Sequence, residues 1–104
     1  MPLDIFIDTN SKEDAKPLML FIEEYDSIME VLEKEDGFPV LKKILFDYYG
    51  ESEVYLNELN ALKQEAIRFK AFDAPKSVHD FINEFVGLIE LAEKKTCTIK
   101  LVGD

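Results

Sequence analysis

Few side chains in this 104-residue sequence are equipped for covalent chemistry. His79 is the only histidine and Cys97 the only cysteine. Nucleophilic catalysis needs an activated nucleophile with a base in reach. His79 falls in the first turn of a helical pattern beside Asp80, and Cys97 falls on the apolar side of a C-terminal strand pattern, where burial keeps a thiol inert. Zinc sites need clustered Cys and His, which the composition does not supply. Asp8, Asn10, Lys12 and Asp14 start like a calcium-binding loop, but Glu13 takes the sixth position where glycine is required. Met19 takes the twelfth, where a bidentate Glu is required. The four glycines are isolated, so no loop is built to cradle phosphate. No cofactor or metal is expected, and no catalytic residue is assigned.

Charge is the feature with most to offer. Asp and Glu number 22 against 12 Lys and Arg, a formal net charge of −10. Such a chain repels phosphate backbones and anionic membrane surfaces, so nucleic acid and membrane are not expected partners. The excess is local. Residues 1–36 hold 11 acids and 3 lysines, a net of −8, while residues 37–74 and 75–104 contribute −1 each. Within the first third, Glu23, Asp26, Glu30 and Glu33 recur at spacings of three, four and three, which places them on one ridge of a helix. Leu20 and Val31 point away from the main apolar stripe, with Ser27 between them. An acidic ridge beside two aliphatic side chains is suited to steer and anchor a basic protein partner. Leu20, Glu23, Asp26, Glu30, Val31 and Glu33 are therefore the candidate partner-binding residues.

The elements that position them follow from periodicity. Leu3, Ile5 and Ile7 alternate with Asp4, Phe6 and Asp8, and Cys97, Ile99 and Leu101 alternate with Thr98, Lys100 and Val102, so each terminus predicts a half-buried strand. Neither is stable alone. They are expected to pair, in the antiparallel sense if each intervening helix reverses the chain, with Lys100 facing Asp4 or Asp8. Between them the period becomes 3.6. Asp8–Ser11 reads as a turn, and Asp14 as the cap of a first helix with Pro17 in its opening turn. Its stripe is Leu18, Phe21, Ile22, Tyr25, Ile28, Met29 and Leu32, and Asp36-Gly37 ends it. Pro39 opens a short second helix through Leu41, Ile44 and Leu45, with Gly50 as its stop. Ser52 is read as the cap of a third, carrying Tyr55, Leu59, Leu62, Ala66 and Phe69. Pro75 opens a fourth, with Ser77 and Asp80 at capping-box spacing, an apolar face from Val78 to Ala92, and Lys94 and Lys95 in the last turn.

The expected fold is thus α+β and mainly helical: strand, four helices, strand in a single domain over residues 1–104. A two-stranded ribbon leaves edges open, so a homodimer through an edge, or through Leu20 and Val31, is a further expectation. No basic stretch followed by an apolar one marks a signal peptide, and the longest apolar run, Leu18 to Ile22, is far too short to span a bilayer. With one cysteine, the expected location is the cytoplasm.

Two families resemble parts of the chain. Ile5-Phe6-Ile7-Asp8-Thr9-Asn10 resembles the opening strand of PIN-domain ribonucleases, which implies Asp8 as a metal ligand. Ser11-Lys12-Glu13-Asp14 departs from the apolar helix start of that family, and several parallel strands are missing, so an enzyme is not expected. Size, acidity, the tetrapeptide Tyr48-Tyr49-Gly50-Glu51 between helices, and a last helix running into a C-terminal strand resemble the small acidic barstar-like immunity proteins with which bacteria silence their own toxins. About a quarter of the chain aligns. The resemblance implies a non-enzymatic inhibitor that occludes a basic toxin nuclease. Ungapped matching places Val54 and Glu58 where that family carries inhibitory aspartates, and only Glu58 has the chemistry. A middle strand of that fold would have to come from Ile67 to Phe72. The alternative is a structural or regulatory interaction subunit that acts through homo-oligomerisation.

Overall fold

A computed structural model describes residues 2–8 and 17–103. The terminal strands β1 (Leu3–Ile7) and β4 (Ile99–Val102) pair antiparallel, with Asp4 opposite Val102 and Ile7 opposite Ile99. They form the centre of a four-stranded antiparallel sheet rather than a two-stranded ribbon. Leu18–Leu20 adds β2 outside β1, and Glu51–Val54 adds β3 outside β4, for a spatial order β2-β1-β4-β3. Leu3, Ile5, Ile7, Ile99 and Leu101 are buried on the inward face. Phe6, Lys100 and Glu53 form a row across the outward face, and the Lys100 ammonium lies 3.6 Å from the Asp8 carboxylate, one of its two expected partners.

Four helices complete the fold: α1 (Ile22–Lys34), α2 (Pro39–Ile44), α3 (Leu59–Phe69) and α4 (Lys76–Lys95). The longest, α4, packs on α3, α1, β1 and β2, and buries Val78, Phe81, Ile82, Phe85, Ile89 and Ala92. Its C-terminus closes with Thr96 in the left-handed conformation (φ 55°), which lets the Cys97 N–H reach the Ala92 carbonyl at 2.9 Å. Gly37, at φ +99°, makes the turn between α1 and α2 where a side chain would be strained. Gly103 passes so close to Tyr48 that an added Cβ would lie 2.0 Å from its carbonyl oxygen, and its own N–H bonds to the Gly50 carbonyl.

Several expected boundaries shift. The first apolar stripe is divided: Leu18 and Leu20 belong to β2, and the helix begins only at Ile22. Asp14 and the turn residues 9–11 lie outside the described residues. The second helix ends at Ile44, well before Gly50. Ser52 is in β3 rather than at a helix cap, and Tyr55 precedes α3, separated from it by a 3-10 turn over Leu56–Glu58. No side-chain cap bond forms at the start of α4, so the Ser77/Asp80 box is not made, and Asp80 instead pairs with Lys76 at 3.3 Å. Residues 67–69 end α3 and supply no strand. Cys97 precedes β4 and is half-buried.

The least expected contact joins α3 to α2. Glu65 is buried, and its carboxylate oxygens accept the N–H of Leu41 at 2.9 Å and of Val40 at 3.2 Å. Pro39 has no N–H to satisfy, and the Lys42 N–H bonds to the Phe38 carbonyl. Every amide that the first turn of α2 leaves unpaired is thereby accounted for.

Candidate interaction surface

Ile28 and Leu32 bury one side of α1, with Tyr25, Met29 and Val31 half-buried around them. The opposite side carries Glu23, Asp26, Glu30 and Glu33, all exposed. The 3-4-3 spacing is thus realised on a continuous helix, and none of the four carboxylates forms an ion pair among the described residues. The ion pairs lie elsewhere: Lys43 with Glu58, Lys63 with Glu93 at 2.7 Å, Lys76 with Asp80, and Lys100 with Asp8. The three neighbouring like-charge pairs on the ridge cost together about 1 kcal/mol, since helical neighbours of one sign each destabilise by a few tenths. Lys34, four residues after Glu30, is the one cation of α1 and offsets at most a few tenths of a kcal/mol of it.

The field of the ridge reaches two phenols behind it. Tyr25 and Tyr48 both hold their protons more tightly than usual, first because burial disfavours phenolate. The charges of Asp47, Asp26 and Glu33 add to this at Tyr25. Around Tyr48, the groups Tyr49, Glu23 and Glu24 add to it against a backbone hydrogen bond at Leu3 that lowers it. The Tyr25 hydroxyl donates to the Leu45 carbonyl at 2.6 Å, and Tyr48 donates to the Leu20 carbonyl at 2.9 Å. Their rings lie 4.7 Å apart. These bonds tie α1 to the segment after α2 and to β2, so the ridge stands on a fixed base.

The aliphatic anchors are placed differently from the sequence reading. Leu20 is 0% exposed on the inward side of β2, and Val31 is half-buried against the core, so neither is an exposed partner of the ridge. The apolar surface beside the acids is instead an open depression of about 290 Å³ between α1 and α2, lined by Met29, Leu32, Glu33, Lys42 and Phe46. Phe46 is 83% exposed. Phe46 lies beyond the end of α2, so helical periodicity gave no signal for it.

The residues with chemical potential are occupied structurally. His79 Nε2 lies 3.1 Å from the Phe72 carbonyl at one end of α4, and Cys97 Sγ lies 3.5 Å from the Lys95 carbonyl at the other. The sixteen residues of helical rise from His79 to Lys95 hold them roughly 24 Å apart, so they form no dyad. Of the two positions that the immunity-protein resemblance singles out, Val54 is fully buried in β3. Glu58 is held within the chain by the Lys43 ammonium and by the Tyr55 N–H at 3.2 Å, and the Lys43 contact lowers its pKa from the ordinary carboxyl value. Asp8 stands at the end of a wholly antiparallel sheet, and no group of three His, Cys, Asp or Glu among the described residues is placed to hold a metal ion. No helix among them is long and apolar enough to cross a membrane. Compared with family models, curated proteins and solved structures, the chain matches none.

Proposed function

We propose that the protein is a non-enzymatic acidic binding protein that captures a basic protein partner on the outer face of α1 and thereby occludes it. The observation that carries this reading is the ridge of Glu23, Asp26, Glu30 and Glu33, exposed and in no ion pair among the described residues, next to the apolar depression at Met29 and Phe46. A row of carboxylates at helical spacing attracts a cationic cleft from a distance, and the attraction raises the association rate more than it raises affinity. Phe46 then supplies apolar area that becomes desolvated only on contact, which is where binding energy concentrates.

A toxin nuclease is the partner class that suits this chemistry. Its cleft is basic because it binds phosphates, and an acidic helix offers the same charge without a cleavable bond. The resemblance to barstar-like immunity proteins points the same way, with the contact residues moved from the position of Glu58 to α1. A cytoplasmic location fits the single cysteine.

The test uses two baits, the unaltered protein and one with Glu23→Gln, Asp26→Gln, Glu30→Gln and Glu33→Gln, against lysate of the source cell. The unaltered bait should retain a basic protein at low salt and release it at moderate salt, and the altered bait should not retain it. Identical partners on both baits would show that the ridge only solubilises the chain.

A further inference from the structure

A second surface, free of the four ridge acids, lies on the other flank of α4. An open groove of about 520 Å³ runs between α4 and β2, and Pro17, Leu18, Met19, Phe21, Gly87, Leu88 and Leu91 line it with Glu84 as the single charged residue. Met19 and Phe21 are 49% and 48% exposed on its outer wall. Contiguous apolar surface of this kind marks an interface on a chain that otherwise keeps its charges outward.

Gly87 is the observation that says what fills it. It stands in the interior of a 20-residue helix, where glycine is destabilising relative to alanine. A Cβ built there would meet nothing within 4 Å among the described residues, so no packing among them requires the missing side chain. A glycine whose cost the fold does not explain, at the floor of an apolar groove, is suited to close approach by another backbone. The chain's own segment leading to Pro17, residues 9–16, carries no large apolar side chain to fill the groove.

We infer that the groove is closed by a second copy of this chain, α4 packing antiparallel on α4 across a two-fold axis between residues 87 and 88. The outer stripe of α4 is self-complementary about that point. Gly87 receives Leu88 of the second copy, and Glu84 lies opposite its Leu91. Asp80, paired with Lys76 of its own chain, meets the turn that holds Lys94 of the second copy, so charges of opposite sign lie at both ends. Antiparallel helices also place each positive N-terminal end beside a negative C-terminal end. An isologous contact of this sort closes on itself and stops at two copies.

Sedimentation equilibrium tests this on the full chain. The unaltered protein should sediment at twice the chain mass, with little response to salt because the contact is apolar. Gly87→Leu fills the notch, and Leu91→Glu sets a second carboxylate against Glu84 of the other copy. Each should weaken dimerisation at least about tenfold while the far-UV circular dichroism stays unchanged. Gly87→Ala separates this role from a structural one: it should raise the melting temperature of the dilute, dissociated chain and still weaken the dimer. The four Gln substitutions on α1 should leave dimerisation unchanged, so the two surfaces fail or stand separately. A protein that remains monomeric up to its solubility limit overturns the inference, as does Gly87→Leu or Leu91→Glu dimerising like the unaltered chain.

Discussion

Replacing Glu65 by alanine tests whether a buried carboxylate on α3 is what holds α2 in place. The side chain is 3% exposed and accepts two backbone N–H bonds from the first turn of α2, at 2.9 and 3.2 Å. Hydrogen bonds with one charged partner contribute more than neutral ones, and a buried donor left without an acceptor costs about 1–3 kcal/mol. The Leu41 amide is buried and bears that cost in full; the Val40 amide is only partly buried, so water recovers some of it. The loss should total about 3 kcal/mol, more than the roughly 0.5–2 kcal/mol of a single exposed helix cap because two amides, one of them buried, lose their acceptor. For a domain of this size that lowers the melting temperature by roughly 10–20 °C. Glu65→Gln keeps the shape and one acceptor oxygen but turns an amide N–H₂ toward a donor, so it should fall between alanine and the unaltered protein. Exposed Glu90 is the control, and Glu90→Ala should shift stability by no more than about 0.5 kcal/mol. Thermal melts followed by far-UV circular dichroism give all three numbers. A Glu65→Ala midpoint within about 3 °C of the unaltered protein, equivalent to under 1 kcal/mol, would refute the capping account.

Two further predictions rest on single contacts. Tyr25 and Tyr48 are held protonated above their ordinary value of 10.0, whereas the unfolded chain ionises both near that value. The stability they contribute is therefore complete below pH 10 and is lost as the pH rises beyond it. Urea midpoints should fall on going above pH 10, and fall less in a Tyr25→Phe/Tyr48→Phe double variant; equal slopes in the two proteins would refute this. Thr96 adopts φ 55° at the end of α4, a conformation that costs an L-residue about 1–2 kcal/mol and costs glycine almost nothing. After the greater entropy of an unfolded glycine is subtracted, Thr96→Gly should raise stability by about 0.5–1 kcal/mol in denaturant titrations. A decrease would mean that the Thr96 side chain holds the turn.

What the residues dictate by themselves is whatever depends on local periodicity over a long enough stretch. The stripes Tyr25–Ile28–Leu32 and Val78–Phe81–Ile82–Phe85–Ile89 extend over several turns, so α1 and α4 are legible, and with α1 comes the ridge of four acids. The alternation at residues 3–7 and 99–102 likewise identifies the terminal strands, and two weak strands in need of partners imply their pairing. Pro39 and Pro75 mark helix starts because their fixed φ suits a first turn.

The tertiary structure alone decided the rest, chiefly where segments are short. Leu18–Leu20 is three apolar residues that fit the stripe of α1 as well as a strand, and only the β1 edge beside it, pairing Leu3 with Leu20, makes it β2 and buries Leu20. Glu51–Val54 reads as helix start from Ser52, yet its register on β4 turns Val54 inward and leaves Glu53 opposite Lys100. Strand pairing is non-local, and three or four residues hold too few periods to announce it. The same reason hid the anchor of the candidate surface. Whether Leu20 or Phe46 faces solvent depends on what packs over each from elsewhere in the chain. Charge was fixed by spacing along one helix, and the apolar surface beside it only by the meeting of two.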